Sequence, residues 1–281
     1  MAQPNTTTRR AFLRRAAFAA GAVTVGYTLG FPRPAEAAPS TPASAWAEGR
    51  DERLLLPGTR WETPLSITRG ARPGPATFVL GGVHGDEPGA WTAAEEVARW
   101  TPASGTLLVL PRANVVAIEA EVRTLPSLGD LNRLYPGNAS GLPMARMAAA
   151  IIDVAREFGV TTLYDMHESW GFFSERPRNG NAFLGQTVSA GAGPESGTIA
   201  KDLVARVNPH LRSKRDRLAA RVEVPRRELK ATDSLGLGWF VPDLTSVLVE
   251  MGQDQQPVER RAELHLLTAQ AFLESRGMAA L

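Results

Sequence analysis

The chain has no cysteine in 281 residues. That absence excludes disulfides and thiolate ligands, so any zinc must be held by imidazole and carboxylate groups. Histidine is scarce as well, with four residues in all. No long apolar run is present. The longest candidate, Ala16 to Phe31, is 16 residues rich in Gly and Ala, short of the roughly 20 that cross a bilayer. No internal repeat is found, which sets aside solenoids and propellers.

The excess of positive charge is also more apparent than real. "TTTRRAFLRRAAFAAGAVTVGYTLGF" sets Arg9 and Arg10 ahead of Phe12 and Leu13, and "AEA" at 35–37 has the small-x-small form of a signal-peptidase site. This segment resembles a twin-arginine export signal, which implies the twin-arginine machinery as a partner and a periplasmic or extracellular location in a bacterium. The competing reading is a retained membrane anchor, for which the run is short; no stable anchor is expected. Residues 1–37 take five of the 31 basic residues and one of the 29 acids, leaving 26 against 28. Nucleic-acid binding thereby loses its compositional support. The absence of disulfides fits folding in the cytoplasm before transport. Residues 38–50, "APSTPASAWAEGR", read as a mobile linker, and 51–281 as one large domain.

Within that domain, short apolar runs alternate with helical stretches. "ATFVLGG" (76–82), "TLLVLP" (106–111), "TTLYDMH" (161–167) and "SVLVEMG" (246–252) read as buried strands. Residues 87–100, 143–159 and 258–277 have helical spacing. The alternation predicts an α/β fold with a mixed, largely parallel central sheet covered by helices on both faces. Residues 170–194 form a long, weakly periodic stretch of the kind that often rims a site. Polar residues then fall at strand ends: His84 and Glu87 after one strand, His167 on a second, Glu250 on a third. In open α/β sheets the ligand crevice lies beyond the carboxyl ends of the strands.

"GGVHGDEPGA" (81–90) admits two readings. His84 and Glu87, three apart across a glycine-rich turn, are able to face one ion. Alternatively, His84 caps a helix and Glu87 sits near the positive end of its dipole. "DLNRLYPG" (130–137) is a loop bearing several polar groups. Glu250 closes an apolar strand, where partial desolvation raises a carboxyl toward the range useful for proton transfer; a paired structural acid is the alternative. His167-Glu168 begins like a zincin helix motif, but position 171 is Gly and the motif fails.

"GGVHGDEPGA", "DLNRLYPG", "LYDMHE" and "VLVEMGQDQQP" stand in the order of the succinylglutamate desuccinylase/aspartoacylase family, a relative of the M14-type zinc carboxypeptidases. The resemblance runs from about Thr77 to Pro257. It implies one zinc per chain on His84, Glu87 and His167, with a fourth position open as in catalytic sites. It implies that Asn132 and Arg133 hold the substrate carboxylate. Asp130 would receive the outer ring N–H of the first ligand histidine. Arg123 would polarise the scissile carbonyl, and Glu250 would act as general base. For both arginines the alternative is a surface salt bridge.

The implied activity is hydrolysis of an amide beside a carboxylate-bearing residue, either of a small acyl-amino acid or of a cell-wall peptide. A catalytically silent zinc or peptide binder is the reading from another class. Only 31 residues follow Glu250, where aspartoacylase-type enzymes carry a further β-rich domain. A more open site is therefore expected, with Trp170, Phe172, Phe173 and 174–194 in its wall. His210 and His265 are expected at the surface or an interface.

Overall fold

The computed structural model describes residues 46–177, 183–222 and 232–279. The export segment and most of the linker lie outside the described residues. Residues 49 and 50 of the expected linker already belong to strand β1, Gly49–Leu55, which pairs antiparallel with β2, Thr63–Arg69. The four strands expected from apolar runs follow as β3 (Arg72–Leu80), β4 (Ser104–Leu110), β5 (Val160–Ser169) and β10 (Thr245–Gly252). Helices α1 (Pro88–Val97), α2 (Val115–Glu119), α3 (Pro143–Glu157), α4 (Ser196–Val207) and α5 (Val258–Ser275) lie between and after them. The stretch 170–194 is less irregular than expected. It holds β6 (Gly171–Phe172), β7 (Phe183–Gly185) and β8 (Thr187–Ala190), and β9 (Ala219–Arg221) pairs with the last of these.

Eight strands form one sheet in the order β1-β2-β4-β3-β5-β10-β8-β9, while β6 and β7 pair separately. The centre, β4-β3-β5-β10, is parallel and the flanks introduce antiparallel pairs. Successive residues of a strand face opposite sides, and the core divides accordingly. Val79, Val109, Tyr164, Met166, Val247 and Val249 pack with α1, α4 and α5. Phe78, Leu80, Leu108, Leu110 and Leu163 pack on the other side with α2 and α3. The same parity governs the strand ends: Asp165 and His167 take the side of Leu163, and Glu168 takes the side of Tyr164 and Met166. Beside them, Glu250 stands in register with His167. Pro88 and Pro143 start α1 and α3 where a missing N–H costs nothing. No described helix is long and apolar enough to cross a membrane.

Candidate active site

Gly82, at φ 64°, turns the chain sharply after β3, a conformation other residues adopt only with strain. The segment after it delivers His84 and then Glu87 at the first residue before α1. Glu87 makes no side-chain hydrogen bond to that helix, so capping is not what it does. Its carboxylate instead faces two imidazoles: Oε1 is 2.6 Å from His84 Nδ1 and Oε2 is 3.0 Å from His167 Nδ1. The two rings lie 4.9 Å apart, centroid to centroid. All three side chains are buried, and one ligand atom from each lies within 4.8 Å of the others. Glu87 Oε2 is also shut off from solvent without a full hydrogen bond among the described residues. Two imidazole nitrogens and a carboxylate oxygen converging in this way fit a zinc ion.

Each histidine is held from behind by an acid. His84 Nε2 donates to Asp130 Oδ1 at 3.2 Å, and His167 Nε2 donates to Asp165 Oδ2 at 2.9 Å. These outer bonds leave both Nδ1 atoms for the ion. Burial works against protonation of His84 and His167, but the surrounding carboxylates outweigh it. Glu87 with Asp130 raises His84, and Asp165 with Glu87 raises His167 well above the ordinary range. Burial likewise opposes ionisation of Glu87, yet the two imidazoles hold its carboxyl below the usual range. Asp130 is low for a similar reason: His84 and then Arg123 outweigh its burial.

Asp165 is a site residue that the sequence motifs do not mark, although Asp-x-His on a strand places both side chains on one face. His265 is a correction to the expected surface position. It is fully buried on α5, and its Nε2 donates to the His167 carbonyl at 3.1 Å. Burial pushes its imidazole down to about 3, so it stays neutral. His210 is exposed, as expected.

These groups line a cleft of about 870 Å³. Asn132, Arg133, Arg123 and Asp130 are among the lining residues. Asn132 Oδ1 accepts from Ser234 N at 2.8 Å, and Arg133 leans on the Asn132 carbonyl. Arg123 reaches Asp130 at 3.0 Å and stands 4.0 Å from Glu87. Glu250 lies at the cleft beside His167. Its Oε2 is shut off from solvent and has no hydrogen-bond partner among the described residues. Burial pushes its carboxyl up to about 7, with His167 opposing and Glu87 adding to the rise. Trp170, Leu184, Arg176 and Arg221 also line the cleft; the first three fall in the stretch expected to form its wall, whereas Arg221 carried no signal in the sequence. Trp170 is 60% exposed, but Phe172 is fully buried and packs on Gly252, so it belongs to the core and not to the wall. Arg176 and Arg221 both stand over the Phe173 ring, 5.9 and 5.6 Å from its centroid. Residues 178–182 of the expected wall lie outside the described residues.

Residues 73–170 match the succinylglutamate desuccinylase/aspartoacylase catalytic domain. The match holds every expected site residue except Glu250 and stops short of the Pro257 limit drawn from the motifs. No curated protein matches the sequence. Among solved structures, tripeptide-bound cell shape determinant Csd4 of Helicobacter pylori superposes with a TM-score of 0.65 at 17% identity, over 77% of this chain and 56% of that one. A succinylglutamate desuccinylase/aspartoacylase of Rhodobacter sphaeroides gives 0.58 at 18%, over 83% and 67%. The ectoine utilization protein EutE (DoeB) of Ruegeria pomeroyi gives 0.57 at 20%, over 78% and 62%. The chain thus spans little more than half the length of the Csd4 structures. Over residues 73–170 the sequence resembles the succinylglutamate desuccinylase/aspartoacylase catalytic domain, and in its mixed α/β fold the chain resembles Csd4 and the Rhodobacter sphaeroides protein.

Proposed function

We propose that this chain is a zinc-dependent hydrolase that cleaves an amide bond beside a carboxylate-bearing residue, acting as an N-acyl amino acid deacylase. The observation that carries the reading is the convergence of His84, Glu87 and His167 with a buried, unpartnered Glu250 carboxylate oxygen alongside. A zinc ion held by the three ligands would supply a Lewis acid that polarises a carbonyl and acidifies water. Glu250 takes the proton of the attacking water and passes it to the leaving amine nitrogen. Its raised carboxyl suits that exchange, because a strongly acidic carboxylate would not hold the proton between the two transfers. Arg133 grips the substrate carboxylate at the cleft side, and Asn132, fixed through Ser234, sets the position of that grip. Arg123 faces the developing negative charge on the carbonyl oxygen.

A second reading, carboxypeptidase or amidase action on cell-wall peptides, is favoured by the size of the cleft. About 870 Å³ is toward the upper end for small-molecule sites and exceeds what a short acyl-amino acid fills. One of the similar structures is Csd4 bound to meso-diaminopimelate, described as a D,L-carboxypeptidase. The deciding experiment loads purified protein with zinc and measures hydrolysis of N-acyl amino acids against muropeptides, for the parent and for Glu250→Gln. Turnover of acyl-amino acids alone supports the deacylase and turnover of muropeptides alone the second reading. Zinc binding without turnover of either leaves the silent binder. Export through the twin-arginine route is part of the same proposal. Changing Arg9 and Arg10 to Lys together should retain the protein in the cytoplasmic fraction of a bacterial host.

A further inference from the structure

Behind His167, reaching the edge of the cleft through Glu168 and Gln253, lies a second polar cluster that the mechanism above does not use. By strand parity His167 and its neighbour Glu168 leave β5 on opposite faces, and Glu168, at the edge of the cleft, turns to α1 and α5. Glu168 is buried there, yet its carboxylate is fully engaged. Oε1 accepts from Ala90 N at 3.1 Å, and Oε2 accepts from Gln253 Nε2 at 3.0 Å. Arg261 Nη1 closes on Oε2 as a buried ion pair. The same Gln253 amide donates to the Asp86 carbonyl at 2.7 Å.

These contacts join three segments that each carry a residue of the site. Glu168 follows His167, Asp86 and Ala90 flank Glu87, and Gln253 is three residues past Glu250. One turn along α5 from Arg261, His265 donates to the carbonyl of His167 itself. A carbonyl offers only lone pairs, so the nitrogen facing it carries the proton. Strand β3 ends at Leu80, opposite Asp165, so among the described residues the end of β5 runs on with no paired strand on that side to hold it. Gly89 testifies to how closely the parts approach: a Cβ there would lie 2.3 Å from Glu168 Oε1 and 2.7 Å from Arg261 Cβ.

We infer that Arg261 and His265 are positioning residues, which hold the ligand-bearing end of β5 against α5 through the Glu168 carboxylate and the His167 carbonyl. They touch neither substrate nor ion. Their effect is to fix His167 relative to Glu87 and Glu250, so that a dication meets its ligands already placed. The inference rests on the metal reading above but not on the reaction.

The test measures zinc affinity of the full chain by competition with a chromophoric chelator, together with the thermal midpoint of the zinc-free protein. His265→Leu removes the donor and Arg261→Met removes the ion pair; each should weaken zinc about 10- to 100-fold, as loss of outer partners does elsewhere. His265→Gln keeps a donor and should regain most of that affinity. Leu264→Ala, in the apolar part of the same helix, should lower the midpoint while leaving zinc affinity at the parental value. Gly89→Ala favours the helix by propensity but displaces Glu168, so it should fold and still weaken zinc. The inference is overturned if His265→Leu, Arg261→Met and Gly89→Ala bind zinc as the parent does, or if Leu264→Ala weakens it equally. A parent that binds zinc but hydrolyses nothing ends the hydrolase reading and leaves this one standing; a parent that binds no zinc overturns both.

Discussion

The two ligand histidines are unequally supported, and their removal should cost unequally in the metal-free protein. Asp165 is fully buried. Oδ2 faces His167 at 2.9 Å and Oδ1 has no hydrogen-bond partner among the described residues. Removing the imidazole by His167→Ala strands that carboxylate. It also takes from Glu87 one of its two imidazole partners, as His84→Ala takes the other, so the stranded Asp165 is what sets the two apart. Breaking one side of a buried ion pair costs about 3–5 kcal/mol. Asp130, by contrast, is part-exposed and keeps Arg123 at 3.0 Å and the Asn132 N–H at 3.0 Å when His84 is removed. His84→Ala should then cost about 1.5–3 kcal/mol, the range for a lost hydrogen bond to a charged group. For a domain of this size each kcal/mol moves the midpoint by about 2–4 °C, so His167→Ala should melt about 6–20 °C below the parent in chelator. The sharper measurement is rescue. Asp165→Asn removes the stranded charge, so the double variant with His167→Ala should regain more than about 1 kcal/mol by urea titration, whereas Asp165→Asn should give no gain with His84→Ala. If His84→Ala proves the costlier change, or if Asp165→Asn fails to rescue, the stranded-carboxylate argument is wrong.

Other outcomes follow from the same geometry. Glu250→Gln should reduce kcat about 10²- to 10⁴-fold, the usual contribution of a general base, with zinc content unchanged by metal analysis. Arg133→Ala should lower kcat/KM about 10- to 100-fold for substrates with a free carboxylate and far less for their amides, compared side by side. The pH dependence of metal-free stability has a definite sign. His84 and His167 are raised in the folded state, so their contribution is complete below the unfolded value of about 6.5 and is lost as pH rises through the folded values. Glu87 is lowered, so its contribution is present above about 4.5 and is lost on acidification. These three groups together contribute most between about pH 4.5 and 6.5. Neutral, buried His265 costs stability as pH falls below about 6.5, which draws the metal-free maximum toward the upper end of that window. Zinc should extend stability upward by displacing the imidazole protons. Thermal melts across pH with and without zinc check this; a metal-free maximum at pH 8 or above contradicts it.

The sequence by itself determined which segments became the central strands and where its polar motifs sat on them. Apolar runs bounded by Gly and Pro, followed by residues at helical spacing, encode their own geometry locally, and β3, β4, β5 and β10 formed as read. His84 and Glu87 were legible as a pair because three residues separate them, and the paired strands at 49–69 were missed because their charged, alternating pattern lacks a buried run. Only the tertiary structure decided lateral order. It set β10 beside β5 in the register that puts Glu250 next to His167. It also turned Asp165 toward one ring and brought Arg261 and His265, about a hundred residues downstream, to the back of the same strand. Those contacts are chosen by how the sheet faces and helices pack, a competition among side chains far apart in the chain, and no local spacing records its outcome.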